Sequence, residues 1–213
     1  MTTTPYSPIE ELMHALSHGI GALLSVAALV LMLSVSLHSG DNWHLFSSIV
    51  YGGSLILLYT SSTLYHAISD LDIKRKLRQL DHAAIFILIA GTYTPFTLVN
   101  LRDNWGLPLF GLIWLIAIIG VIVEVATALK YKKLSLALYL GMGWMVIIAI
   151  QPMLEYVEQG GLILLLAGGL SYSAGVIFYI WKTLFMHHAI WHLFVLAGSV
   201  LHFLAVYYFV LPS

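Results

Sequence analysis

Seven apolar segments divide this 213-residue chain, and each is long enough to cross the hydrocarbon core of a membrane. A helix needs about 20 apolar residues to cross roughly 30 Å of hydrocarbon. Because backbone polar groups in lipid must be satisfied within the segment, such runs predict helices. We place them near residues 19–38, 45–68, 82–101, 107–129, 134–153, 160–182 and 189–211. The predicted fold is an all-α membrane protein, a seven-helix bundle forming a single transmembrane domain over residues 1–213.

The composition supports a membrane protein and excludes several other classes. Charged residues make up only 9% of the chain, against about 25% in soluble domains. The formal net charge of −1 gives no reason to expect nucleic acid as a partner. Because the chain has no cysteine, disulfides and thiolate metal ligands are excluded, and any metal site must use histidine, carboxylate or water.

The positive charges predict the orientation of the bundle. All lysine and arginine residues except Arg102 follow predicted helices two, four and six. Such charge favours the cytoplasm, so we expect a multi-pass membrane protein with a cytoplasmic N-terminus and an external C-terminus. The N-terminal region is acidic at Glu10 and Glu11, unlike a secretory signal, so the first helix should be retained. The basic stretch 70–80 is either a short interfacial helix that contacts anionic headgroups or an ordinary loop.

A pair of histidines opens the last apolar segment. His188 and His192 are four residues apart, so they share one face of a helix and can offer two imidazole nitrogens to one metal ion. Other polar side chains lie at the same predicted depth, where helices one, two and three meet the cytoplasm. They are Glu11, His14, His18, Ser62, His66, Asp81 and His82. This common depth predicts a functional site near the cytoplasmic leaflet.

Zinc-dependent hydrolysis is one reaction that this set of residues can catalyse. A catalytic zinc takes three protein ligands and a water molecule, whose pKa it lowers to about 7. His66, His188 and His192 can supply the three imidazoles. Asp81 can hold the water or act as general base, and Ser62, one turn before His66, can donate a hydrogen bond to a substrate carbonyl.

Other polar residues are predicted to support these ligands or to act elsewhere. Glu11 is a candidate acceptor for the second N–H of a metal-bound imidazole. His18 and His202 are further candidates for such support, and His202 is alternatively a buried histidine with its own hydrogen bonds. Glu124 is the one carboxylate deep within an apolar run, and we expect it to reach the interface or to have a partner.

Simpler interpretations of the same residues stay open at this stage. Asp81 can be the N-cap of helix three. Ser62 and His66 can form a hydrogen-bonded helix end, and His14 and His82 are expected to be interfacial. Histidine ligands also suit divalent ions other than zinc.

Four stretches of the chain carry a family resemblance. They are Glu11 with His18-Gly19, Ser62 with His66, Leu80-Asp81-His82 leading to Gly91-Thr92-Tyr93-Thr94-Pro95, and His188 and His192 followed by His202. In order and spacing they resemble the hemolysin III family, the bacterial branch of the group that includes the progestin and adiponectin receptors. His14 and His82 depart from the receptor pattern, which usually has Asn and Tyr there.

The resemblance implies a zinc ion held by His66, His188 and His192, with Asp81 near its bound water and Ser62 beside it. It also implies seven helices with a cytoplasmic N-terminus. Because the group is similar to the alkaline ceramidases, it implies metal-dependent hydrolysis of lipid amides. Bacterial members of the family look like factors in membrane-lipid or fluidity homeostasis.

Three functions remain after this reasoning. The first is a zinc-dependent hydrolase that cleaves an amide or ester of a membrane lipid. The second is a non-catalytic membrane-homeostasis protein or sensor in which zinc is structural. The third is a hemolysin-like pore or channel, for which the outer halves of the helices offer few polar residues. The substrate and the oligomeric state are left open.

Overall fold

Helices account for nearly all of the computed structural model, which describes residues 6–212. The α-helices are α1 (Pro8–Ser39), α2 (Asn42–Ala67), α3 (Leu71–Pro95), α4 (Leu107–Thr127), α5 (Lys132–Gly143), α6 (Ile150–Tyr156), α7 (Gln159–Ile180) and α8 (His187–Phe209). Within the described residues, α5 and α6 form one span, so seven helical spans are long and apolar enough to cross a membrane. The predicted all-α, seven-helix fold is confirmed.

The first helix begins eleven residues earlier than its apolar segment. Ser7 is its N-cap: the Ser7 side chain accepts a hydrogen bond from the backbone N–H of Glu10, and the Glu10 carboxylate accepts one from the backbone N–H of Ser7. This capping box, with Pro8 in the first turn, stabilises a polar helix start that hydropathy does not detect. As a result His14 and His18 lie within α1, on its buried face.

The third helix also begins early. Asp70 is its N-cap and accepts hydrogen bonds from the backbone N–H groups of Asp72 and Ile73. The basic stretch that follows is therefore neither a separate interfacial helix nor a loop, but the first turns of α3. The interpretation of Asp81 as an N-cap is wrong, because Asp81 lies inside this helix and is 7% exposed.

Two prolines interrupt their spans. Pro95 ends α3 and is followed by a π-helical turn at Phe96–Asn100. The fifth span breaks into a 3₁₀ turn at Met145–Ala149 just before Pro152. Proline has no N–H, and its ring clashes with the carbonyl four residues earlier, which accounts for the break in the turn before Pro152.

The helices differ in how closely they pack on their neighbours. Helix α2 packs against α1 and α3, α7 packs against α8, and α8 contacts α1. Helix α5 packs mainly on α3 and α4 and has little contact with α7. The faces that point away from the bundle carry large apolar side chains, as lipid contact requires. Residues of both α5 and α7 line the cavity described below.

Candidate metal centre

Five buried histidines from three helices meet on the predicted cytoplasmic side. The five are His14 and His18 of α1, His66 of α2, and His188 and His192 of α8, and each is at most 7% exposed. The ring of His14 lies 4.7 Å from the ring of His66 and 4.7 Å from that of His188. Such a group of imidazoles within the membrane needs either hydrogen-bond partners or a ligand.

Three of these histidines form a set that could hold a metal ion. His14, His66 and His188 each offer one ring nitrogen, and the three nitrogens lie within 4.8 Å of one another. Both ring nitrogens of His14 and His188, and Nε2 of His66, are buried and have no hydrogen-bond partner among the described residues. Each unpartnered group costs about 1–3 kcal/mol. A divalent ion such as zinc would use these lone pairs, so the donor set fits such an ion.

Glu11 orients one member of the set. His66 Nδ1 donates a hydrogen bond to Oε2 of Glu11 at 2.6 Å, and Lys74 Nζ forms an ion pair with Oε1 of Glu11 at 3.1 Å. Because the proton of His66 is on Nδ1, its Nε2 lone pair is free to face a metal. A carboxylate behind a ligating histidine is the common arrangement in metal sites.

His192, the third of the predicted ligands, lies outside this set of three. Its ring stacks on His18, with centroids 3.5 Å apart and an interplanar angle of 11°. Its Nδ1 lies 3.0 Å from Ser17 Oγ, and its Nε2 has no hydrogen-bond partner among the described residues. The set that the structure brings together therefore shares His66 and His188 with the predicted ligands but has His14 where the prediction had His192.

His14 is the residue that sequence reasoning missed. It was expected to be interfacial, yet it is 0% exposed. A signal was present, since His14 and His18 have the same four-residue spacing as His188 and His192. That spacing carries meaning only within a helix, and the predicted start of helix one lay beyond both residues.

An apolar cavity of about 160 Å³ adjoins the histidine cluster. Helices α3, α5, α7 and α8 supply most of its wall. His18, Asp81, His188, Trp144 and His202 are among the residues that line it. Because most of the other lining residues are apolar or aromatic, the cavity suits a hydrocarbon chain better than a polar metabolite.

Of the remaining predicted site residues, two line this cavity and one does not. Asp81 lines it, and Asp81 Oδ2 lies 3.5 Å from His82 Nδ1. His202 also lines it and donates from Nε2 to the carbonyl oxygen of Leu165 at 3.1 Å. Ser62, in contrast, is 1% exposed on α2 and is not part of the cavity wall.

Tyr6 covers the histidine cluster at the start of the described chain. Its ring stacks on His188 at 5.1 Å and meets the ring of His14 edge-on at 4.8 Å. Burial raises the pKa of the Tyr6 hydroxyl well above its ordinary value, with smaller contributions from neighbouring tyrosines. The phenol is therefore neutral at physiological pH and shields the imidazoles from water.

Glu124 has a partner within the bundle. It is 1% exposed, and its Oε1 accepts a hydrogen bond from Tyr139 Oη at 3.1 Å. The same hydroxyl lies 2.9 Å from the carbonyl oxygen of His82. The structure thus shows the paired state that the sequence analysis offered for this carboxylate.

Known proteins resemble the chain over almost its whole length. The family model for Haemolysin-III related proteins matches residues 6–203. Hemolysin-3 of Bacillus cereus is 45% identical over 204 residues, which cover 96% of this chain and 93% of that protein. The Hemolysin-3 homolog of Bacillus subtilis is 44% identical over 200 residues, which cover 94% of each chain. The human monocyte to macrophage differentiation factor is 32% identical over 210 residues, which cover 94% of this chain and 85% of that protein.

These matches agree with the resemblance drawn from the motifs and with the seven spans of the structure. Together the matches and the seven spans indicate a multi-pass integral membrane protein, and a location in the bacterial cytoplasmic membrane is consistent with them. The chain belongs to the haemolysin III-related family of integral membrane proteins.

Proposed function

We propose that this protein is a metal-dependent hydrolase that cleaves an amide or ester bond of a membrane lipid near the cytoplasmic leaflet, in support of membrane-lipid or fluidity homeostasis. The observation that carries the proposal is the group of buried, unpartnered imidazole nitrogens beside an apolar cavity. A purely structural histidine cluster would have no need of an adjoining apolar cavity, and a simple lipid site would have no need of the histidines.

The histidines are proposed to hold a zinc ion through His14, His66 and His188, with His192 as the alternative third ligand. The chemistry supplied by a bound zinc ion would be polarisation of a carbonyl and a water nucleophile active at neutral pH. Glu11 keeps the proton of His66 on Nδ1, so that Nε2 remains a ligand.

Asp81 is proposed as the general acid and base. It lines the cavity beside His188 and is nearly buried, so its carboxylate would meet a substrate in a water-poor environment. It would accept a proton from the attacking water and return it to the leaving amine or alcohol. Ser62 remains a predicted hydrogen-bond donor. It could act only if the substrate carbonyl reaches α2.

The cavity is proposed to hold the hydrocarbon chain of the lipid. Residues of α5 and α7 both line the cavity, and the substrate is proposed to enter between these helices from the bilayer, so that it need not pass through water. Tyr6 covers the histidines from the aqueous side and would limit the entry of bulk water.

The test combines metal analysis with turnover. Protein purified in detergent without chelator should contain about one zinc per chain. It should also hydrolyse a fluorescent ceramide or a labelled phospholipid. The variant His66→Ala/His188→Ala should lose both properties. His38→Ala is the matched control, because His38 is exposed at the far end of α1. Wild-type protein that is fully active without metal would refute the mechanism.

A non-catalytic protein with structural zinc is the second candidate. It is favoured by His192, whose unpartnered Nε2 lies in the same cluster and could complete a closed four-histidine site. In that case Asp81→Asn would leave the cellular phenotype intact, whereas the hydrolase requires the carboxylate.

A further inference from the structure

Three cations from separate elements lie at the cavity wall or next to a residue that lines it. They are Arg78 of α3, Lys132 at the start of α5, and Lys182 just after α7, and we call them the cationic mouth. Arg78 precedes the lining residue His82 by one helical turn, and its carbonyl oxygen lies 3.0 Å from His82 Nδ1. Lys132 lines the cavity, and Lys182 Nζ lies 4.3 Å from the ring of Tyr179, which also lines it. Burial, together with the charges of Lys132 and Arg78, lowers the pKa of Lys182, so the three charges act on one another.

The cationic mouth lacks anionic partners among the described residues. Other basic residues have them: Lys74 pairs with Glu11 at 3.1 Å, and Arg102 pairs with Asp41 at 3.6 Å. None of the three mouth residues lies within ion-pair distance of a carboxylate in residues 6–212. Like charges on one side of the cavity repel one another, and an anion among them relieves that repulsion. The arrangement therefore favours an anionic ligand.

The start of α5 strengthens the positive potential. Its N-cap, Tyr131, makes no side-chain capping hydrogen bond, and the first turn contains no acidic residue. Lys132 and Lys133 occupy that turn instead. The first N–H groups of a helix and the positive end of its dipole attract anions, phosphate above all. By contrast, α1 and α3 have acidic residues in their first turns.

Glu124 does not neutralise the mouth directly. It interacts with Lys132 only at longer range, is 1% exposed, and accepts a hydrogen bond from Tyr139. The Glu124 carboxylate thus bonds to Tyr139 within the bundle, and it forms no ion pair with Lys132.

We infer that the cationic mouth binds the phosphate of an anionic membrane lipid whose hydrocarbon chain lies in the adjoining apolar cavity. The shared wall is the main argument, because Lys132 and the apolar residues line one continuous space. A free phosphate ion would use only the charged end. As a binding site this proposal is independent of catalysis; as a site that selects the substrate headgroup it rests on the proposed hydrolase.

Native mass spectrometry tests the inference with two diether phospholipids that an amide or ester hydrolase leaves intact. Phosphatidylglycerol and phosphatidylcholine with identical chains are titrated onto detergent-purified protein. The test variant is Arg78→Gln/Lys132→Gln/Lys182→Gln. The control, Arg75→Gln/Lys76→Gln/Lys130→Gln, removes the same charge from the same predicted membrane face, and none of its residues lines the cavity.

We expect wild-type protein to prefer phosphatidylglycerol by roughly ten-fold or more, and the test variant to lose roughly five-fold in affinity per removed charge. The control variant should keep the preference. Equal losses in both variants would overturn the inference, because they would show only general attraction to a basic surface. Inorganic phosphate that displaces the lipid at equal concentration would overturn the assignment to a lipid headgroup.

Two additions keep the result interpretable. Lys182→Gln lies outside the helices, so it should fold normally and show a partial loss if the triple variant does not fold. Repeating the titration in the His66→Ala/His188→Ala background separates the two proposals. Retained preference without hydrolysis supports the binding site whatever the fate of the hydrolase, whereas hydrolysis by wild type without any preference refutes the binding site alone.

Discussion

Two histidines on the predicted outer side and the five clustered histidines on the inner side differ in their hydrogen bonding. On the predicted outer side, His38 Nδ1 lies 2.6 Å from the carbonyl oxygen of Ser34, and His44 Nδ1 lies 3.3 Å from Asp41. Both partners are close in sequence. On the inner side, five histidines from three helices are buried together, and most of their ring nitrogens have no partner among the described residues.

This difference separates a structural histidine from a candidate ligand. A partner close in sequence supplies a hydrogen bond to the ring at the helix end, and no contact from another helix is needed. Unpartnered nitrogens gathered from distant parts of the chain cost free energy, which the proposed metal ion would recover. The predictions below test whether the inner cluster differs from the outer histidines in this way.

The largest effect should come from removing the third ligand. If the set in the structure is correct, His14→Ala should lower zinc affinity by more than the roughly 10–100-fold expected for loss of an outer hydrogen-bond partner. Hydrolysis should then become undetectable. His192→Ala should retain the metal, because its ring instead stacks on His18 and contacts Ser17. Zinc titration with a competing chelator measures both.

The reverse result would favour the ligand set predicted from the sequence. Loss of zinc in His192→Ala with retention in His14→Ala would mean that the ring of His192 leaves its stack to bind the ion. His44→Ala is the control for histidine removal in general, and it should leave zinc affinity unchanged because His44 has its own partner.

Substitution of Asp81 should separate metal binding from chemistry. Asp81→Asn should keep stoichiometric zinc while lowering the turnover rate by about 100- to 10,000-fold, the usual contribution of a general acid or base. The amide is close in size to the carboxylate, so the cavity should be preserved. Turnover and metal content are measured on the same preparation to test whether Asp81 acts as the general acid and base. Unaltered turnover would show that it does not.

A smaller effect is expected for Glu11. Glu11→Gln removes the charge that orients His66 and pairs with Lys74, so zinc affinity should fall by roughly 10–100-fold. Glu10→Gln is a matched control one residue away, since Glu10 caps α1 and does not contact His66. Equal zinc affinity in wild type and Glu11→Gln would show that this contact serves only to pack α1 against α2.

Much of this architecture follows from the sequence because lipid imposes simple requirements. Long apolar runs indicated the spans, and the clustering of polar residues near the ends of those runs indicated the depth of the candidate site. The helix starts were missed because a capping box at Ser7 and an N-cap at Asp70 extend helices through polar residues. Hydropathy carries no information about such hydrogen bonds.

The ligand set could not be predicted because it depends on the rotation of α1 relative to α8. Spacing places His188 and His192 on one face, but it does not determine which of them meets His66 and which stacks on His18. The cationic mouth was hidden for the same reason. Arg78, Lys132 and Lys182 are far apart in sequence, and only packing brings their charges together.

The smallest expected effect concerns the outer end, where Asp41 is the N-cap of α2. The hydrogen bond from the backbone N–H of Trp43 holds the pKa of the Asp41 carboxyl below its usual range. A lowered pKa in the folded state means that the stabilisation is present above the ordinary carboxyl pKa and disappears as the pH falls through the lowered value. Asp41→Ala should therefore cost about 1 kcal/mol at neutral pH and almost nothing in strong acid.

Thermal unfolding in detergent at neutral and acidic pH measures this difference, with Asp103→Ala as the control. Asp103 is also exposed and close to Arg102, but it does not cap a helix with its side chain. Because the outer end is structural, zinc content should be the same in both variants. A loss of zinc in Asp41→Ala would show that the two ends are coupled, and the distinction between partnered and unpartnered histidines would then no longer separate structure from function.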